Sequence, residues 1–169
     1  MFELMGAVLL SVSAVLCGFY TANVVKIRCC ILEECVTLIR SVASQIDYAD
    51  EPVQKILQNT VKGYDYKFLN FLKTVAETEF ADGFDKTWCD CIEKDCTGFY
   101  FEKQTVELLK AFGQMLGKTD SSGQKELCAY YERKFEQIIN ITNEKRSEKM
   151  KLCRVTGFAV GAIIFVFAV

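Results

Sequence analysis

Residues Ser121–Val169, SSGQKELCAYYERKFEQIINITNEKRSEKMKLCRVTGFAVGAIIFVFAV, decide the fold. They read as one long helix that begins in water and ends in lipid. Ser121 and Gln124 stand at the S-x-x-Q spacing of a capping box, in which each side chain satisfies a free backbone donor of the other, with Asp120 as an alternative cap. From Leu127 the stripe recurs at Tyr131, Phe135, Ile138 and Thr142, steps of three or four that line one helix face, with no Pro or Gly before Gly157. Asn143 to Lys149 holds no apolar residue, and the run after Arg154 is uncharged, a composition suited to hydrocarbon. From Ser121 to Arg154 the helix would be a rod roughly 50 Å long, joining a soluble helical domain to a C-terminal anchor through a polar neck.

Working outward, the charge is unevenly placed. Met1 to Val25 holds only Glu3, Val155 to Val169 holds none, and all 20 Lys and Arg lie between Lys26 and Arg154. Gly6 to Val25 is long enough at about 20 residues to span a bilayer as a helix, with Tyr20 near its inner end at interface depth. A cleaved signal peptide is the competing reading. It would want Lys or Arg ahead of the apolar run, whereas Lys26 and Arg28 follow it, and Leu16 stands before Cys17 where a lipoprotein site needs a small residue. A retained anchor is therefore expected.

Lys26 and Arg28 flank the first span, and Lys145, Arg146, Lys149, Lys151 and Arg154 crowd the second, so the middle section faces the cytosol and both termini face outward. Val155 to Val169 covers only about 22 Å of a core of about 30 Å. Either Leu152 and Cys153 also enter lipid while Arg154 snorkels, or the bilayer thins or a partner helps. Gly157 and Gly161 form a G-x-x-x-G pair that permits close helix packing. The expected division is 1–25 as N-terminal span, 26–153 as cytosolic bundle with the long juxtamembrane helix, and 154–169 as C-terminal span.

Between the anchors, apolar stripes alternate with breakers. Ile31, Cys35, Leu38, Val42 and Ile46 continue the first span into a long first helix. Asp50 can cap the next, with Pro52 in its first turn and Val53, Ile56, Leu57, Thr60 and Val61 on its buried side up to Gly63. Phe68, Leu69, Leu72, Val75, Ala76 and Phe80 predict a third helix closed by Asp82-Gly83, and Phe84, Trp88, Cys91 and Ile92 a short fourth. A fifth runs from about Phe101 through Leu108, Leu109, Phe112 and Leu116, with Gly117 as C-cap. No useful length alternates with period two, so the fold class is all-α: an antiparallel helical bundle with short loops.

Composition narrows the chemistry. The net charge of -2 and pI near 5.3 give no general pull toward nucleic acid. With no His, Ser-His and Cys-His nucleophile pairs and His-ligated metals are impossible. Nine Cys cannot all pair within one chain, and in the cytosol they are mostly free thiols. Cys29, Cys30 and Cys35 with Cys89, Cys91 and Cys96 could supply a four-thiolate zinc site, but neither group is a C-x-x-C, and the plain alternative is Cys as a small buried apolar residue. Glu33-Glu34 and Asp47-Asp50 read as solvated faces or caps. The mixed charges of Glu144-Lys145-Arg146 and Glu148-Lys149 read as helix-surface pairs, whose cationic excess near the membrane can also hold anionic lipid. Neither G-x-x-x-x-G-K-[ST] nor G-x-G-x-x-G occurs, so any ATP is bound by another subunit. No catalytic, cofactor or metal residue is expected.

Leu109 to Gln124, LKAFGQMLGKTDSSGQ, resembles the signature of the stage III sporulation protein AB family, F-G-x-x-L-G-x-x-D-x-x-x-Q, which joins the last two soluble helices. The remainder agrees in order: an apolar N-terminus, Asp47-Tyr48 before Pro52, an F-rich third helix, Trp88 in the fourth, and a charged long helix entering a terminal apolar run. The nine Cys depart from the family's pattern. The resemblance implies a membrane protein of endospore-forming bacteria, part of the mother-cell channel or secretion-like complex that connects to the forespore. It also implies a soluble part similar to the cytoplasmic domain of type II secretion F platform proteins. A secretion-type ATPase and ring-forming membrane subunits would be its neighbours.

Carried onto this chain, Gly117 ends one helix, Asp120 or Ser121 starts the next, and Gly113 lets the two pack closely; alternatively, Gly113, Gly117, Asp120 and Gln124 form a partner-binding surface. The expectation is a non-enzymatic membrane scaffold without nucleic acid or small-molecule substrate. From a different class, the alternative is a two-span membrane sensor or signalling adaptor whose bundle changes shape on ligand or lipid binding.

Overall fold

The structure, a computed structural model, describes the backbone of residues 2–48, 51–78, 80 and 83–168 and the side chains of 20, 23–46, 51–78, 80 and 83–145. Among them every regular element is helical: α1 (Phe2–Tyr48), α2 (Val53–Gly63), α3 (Phe71–Glu77), α4 (Phe84–Asp95), α5 (Lys103–Met115) and α6 (Ser121–Ala168). The chain forms two compact units, Arg28–Ile139 and Met1–Ile27 with Asn140–Val169. Among the described residues no helix is long and apolar enough to cross a membrane. The expected spans at 1–25 and 154–169, with Gly157 and Gly161, fall almost wholly outside the described side chains.

In the unit Arg28–Ile139, α1 carries the seam on which the others assemble. Ile31, Cys35, Leu38, Val42 and Ile46 are each at most 8% exposed, as their helical spacing requires. Each fully buried large apolar side chain contributes about 1.5–3 kcal/mol, against about 0–1 kcal/mol for an exposed ion pair, so this seam rather than the surface charges holds the bundle. Polar contacts set where the seam lands. Arg40 donates from Nε to Glu132 (2.6 Å) and from Nη2 to Glu136 (2.8 Å), tying α1 to two turns of α6.

Helices α2 and α3 pack together, as do α3 and α4, and α4 and α5. Gln58 Nε2 donates to the Ala76 carbonyl (3.1 Å) and Gln54 Nε2 to that of Thr78 (3.4 Å), so α2 and α3 run antiparallel. The same holds for α4 and α5, where Asp85 meets Lys118 at 2.5 Å and Glu93 meets Lys110 at 2.6 Å.

Three boundaries differ from expectation. Pro52 sits at the N-cap of α2, not in its first turn; its extended ψ of 146° breaks the helix while its carbonyl accepts from Ile56 at 3.2 Å. Asp50 lies outside the described residues. Helix α3 starts at Phe71 because the amides of residues 67–69 are taken by a side chain of α1. Helix α5 starts at Lys103 with Glu102 as N-cap, because Glu102 takes an extended ψ of 141°; its carboxylate caps no amide and pairs with Arg28.

Candidate docking site

The turn between α5 and α6 is built from backbone outward. The Leu116 amide donates to Phe112 (3.1 Å) and Gly113 (3.2 Å), closing α5. Gly117 then takes φ +82, which an L side chain adopts only under strain, and a Cβ there would lie 2.8 Å from Val53 Cγ2. The Lys118 amide donates back to the Met115 carbonyl (3.3 Å), and its ammonium pairs with Asp85 on α4. Helix α6 opens with Asp120: its Oδ1 accepts the Gly123 amide at 3.0 Å and its carbonyl accepts that of Gln124 at 2.9 Å.

Asp120 is thus the cap, and the Ser121/Gln124 capping box is not formed. Gln124 Nε2 instead donates to the Thr119 carbonyl at 3.0 Å, while its Oε1 is buried with no hydrogen-bond partner among the described residues. A single carboxylate accepting the third helical amide leaves Ser121 nothing to cap. Gly117, Asp120 and Met115 are exposed, Met115 by 45%, as are Gln114 and Lys118, so the turn leaves one apolar and several polar side chains in solvent.

Gly113 is buried and serves a different contact from the expected one. A Cβ there would lie 2.2 Å from Trp88 Nε1, so its missing side chain admits α4, not α6. Trp88, wholly buried, donates from Nε1 to the Leu109 carbonyl at 2.8 Å. Its ring meets Phe71 edge-on at 5.1 Å, Phe84 at 5.5 Å and Phe112 at 6.3 Å, and Phe112 meets Tyr131 of α6 at 5.6 Å. This aromatic chain links α3, α4, α5 and α6 through their buried sides.

Glu34, read from the sequence as part of a solvated face or a cap, is 6% exposed and so not on a solvated face. Its Oε1 accepts the Lys67 amide (2.9 Å) and its Oε2 those of Phe68 (2.9 Å) and Leu69 (3.2 Å). The carboxylate supplies the acceptors that the α2–α3 loop needs where it enters the core. A periodicity signal existed: Glu34 falls three residues after Ile31 and four before Leu38, inside the apolar stripe. Beside it, burial raises the Tyr66 phenol, aided by Tyr64 and Glu34.

Among the described thiols, Cys29, Cys35, Cys91, Cys96 and Cys128 are buried and Cys30 and Cys89 half-buried. Burial raises Cys35 well above the usual thiol value, with Cys96 and Glu34 adding to the effect. It pushes Cys96 up to about 12 and Cys128 up to about 11, and raises Cys91. At neutral pH these sulfurs are protonated and weakly nucleophilic. Among the described residues no group of three or more Cys, Asp or Glu could hold a metal ion.

With this geometry in view, the sequence model for stage III sporulation protein AB matches residues 3–168, nearly the whole chain. The chain belongs to the stage III sporulation protein AB family. A sporulation-associated role follows. No curated protein and no solved structure matches the chain significantly. The family signature of this stage III sporulation protein AB chain, Phe112 to Gln124, divides by depth: Phe112, Gly113 and Leu116 are buried, whereas Gly117 and Asp120 are exposed.

Proposed function

We propose that the chain is a non-enzymatic membrane scaffold of a sporulation-specific, secretion-like channel complex between mother cell and forespore. Its helical bundle faces the mother-cell cytosol between two anchors, and both termini lie outside the cytosol. The observation that carries the role is the exposed turn Met115–Asp120, which leaves Met115 in solvent among polar residues and follows directly on the buried Trp88–Gly113 contact. A surface whose backbone is set before the partner arrives binds with a smaller ordering cost. The uncharged ends and the basic residues beside them support the anchored topology.

The partners proposed are a secretion-type ATPase subunit on the cytosolic side and ring-forming membrane subunits. Met115→Asp and Asp120→Arg place unmatched charge at the centre and rim of the turn. Each variant should keep its helical circular dichroism and lose co-purification of the ATPase from crosslinked sporulating cells. Retention of that partner by both variants would remove the turn as the docking surface. Extraction of the chain from membranes by carbonate would remove the anchors.

A further inference from the structure

Tyr130 stands outward from α6 at 49% exposure, yet its ring is not loose. It meets the ring of Tyr131 edge-on at 5.2 Å, and Tyr131, 8% exposed, meets Phe112 in the core at 5.6 Å. Arg133 and Lys134 follow Tyr130 by three and four residues, so they lie on either side of it, about 60° one way round the helix and about 40° the other. Both are exposed and both are held. Arg133 Nε donates to the Ala129 carbonyl of its own helix at 3.1 Å, and the Lys134 ammonium sits 5.5 Å from the Tyr130 ring centroid. The phenol and its two cations therefore form one surface within the unit Arg28–Ile139.

These cations lack what others in the unit have. Arg28, Arg40, Lys110 and Lys118 each pair with a carboxylate distant in sequence. The α6 acids nearest to Arg133, Glu132 and Glu136, are both turned to Arg40 of α1, and among the described residues no carboxylate pairs with Arg133 or Lys134. Because Arg133 uses only Nε on its own helix, the two terminal nitrogens of its guanidinium remain as a fork for a carboxylate.

We infer that the Tyr130–Arg133–Lys134 face of α6 is a docking surface for an acidic segment of another protein, with two separate carboxylates seated on Arg133 and Lys134 and an apolar side chain between them against Tyr130. Neither the Met115–Asp120 turn nor the membrane anchors enter into it. Charge selects the partner's chemistry. Glu126, exposed one turn ahead of Tyr130 on the same face, repels a continuous anionic surface such as a lipid sheet but leaves room for discrete acids beyond Tyr130. With ring and cations already held, the ordering cost is smaller than a patch of free lysines would carry. Tyr and Arg are also the side chains from which interface anchors are most often drawn.

The test places the photocrosslinking residue p-benzoylphenylalanine in place of Gln137, which is exposed within about 20° of Tyr130 round the helix, in the full chain in sporulating cells. Illumination should join it to one segment of another protein that contains Asp or Glu. Arg133→Glu with Lys134→Glu should keep the helical circular dichroism and lower that adduct about tenfold. Lys62→Glu with Lys67→Glu reverses two exposed cations that have no ion pair among the described residues, and should leave the adduct unchanged. Replacing the partner's mapped acids by Lys should restore the adduct to the charge-reversed chain. An adduct indifferent to charge at residues 133 and 134, or no adduct at all, would overturn the surface. Adducts to lipid alone would overturn it in favour of an anionic membrane, and adducts to a second copy of this chain in favour of self-association.

Discussion

The indole of Trp88 occupies the space that a side chain on Gly113 would need: an ideal Cβ on Gly113 falls 2.2 Å from Nε1, 2.3 Å from Cδ1 and 2.4 Å from Cε2. The same Nε1 donates to the Leu109 carbonyl, one turn earlier on α5. Ring and glycine therefore form a single contact between α4 and α5.

Gly113→Ala should be destabilising beyond its one added carbon, because the ring it meets is rigid and packed on other faces by Phe71, Phe84 and Phe112. A loss of about 3 kcal/mol is expected from overpacking together with the strained hydrogen bond. Trp88→Phe in the same chain should recover part of it, since the smaller ring makes room. Urea denaturation of the two single variants and the double variant measures the coupling, and strict additivity would contradict the contact.

Glu34→Ala should cost about 3 kcal/mol, because three amides at the entrance of α3 lose their acceptor inside the core. Glu34→Gln keeps one acceptor oxygen and turns a donor toward the amides, so it should fall between wild type and Ala. Amide hydrogen exchange at residues 67–69 gives the local readout: protection should drop there before it drops in α4 or α5.

Asp120→Ala should remove about 1 kcal/mol, the ordinary value of a helix N-cap. Asp120→Asn, which retains an acceptor, should cost less. Thermal melting followed by circular dichroism is sufficient for both. A change far larger than this would mean that the exposed carboxylate has a second intramolecular role.

Alkaline pH should weaken the bundle. Unfolded thiols ionise near 9, while Cys128 folded is raised to about 11 and Cys96 to about 12. Above pH 9 the unfolded chain loses these protons first. Stability present below that value therefore declines as pH rises toward 11 and 12. Melting temperature measured from pH 7 to 11 under reducing conditions should fall, and Cys96→Ala should make the fall shallower.

Much of the architecture was legible from local pattern. The stripe of α1 is buried throughout, the centres of three others are buried at Ile56, Leu57 and Thr60 of α2, Trp88, Cys91 and Ile92 of α4 and Tyr131, Phe135 and Ile138 of α6 while their end positions are half-buried, and the breaker at Gly117 lies where φ is positive. Helix-period apolarity is a property of neighbours in sequence, so composition and spacing by themselves determined the all-helical class and the order of the elements. The family signature was legible for the same reason, as a short contiguous string.

Contacts between residues distant in sequence were decided by tertiary structure alone. Gly113 reads as a glycine between two helices and turns out to be shaped for Trp88, 25 positions earlier. Glu34 reads as one of two surface acids until the α2–α3 loop closes over it. Arg28 reads as a basic flank until it takes hold of Phe99 and Glu102. In each case the partner is a backbone group, a ring or a carboxylate delivered by another part of the chain, and the energy comes from satisfying or filling a space that does not exist until the helices have met.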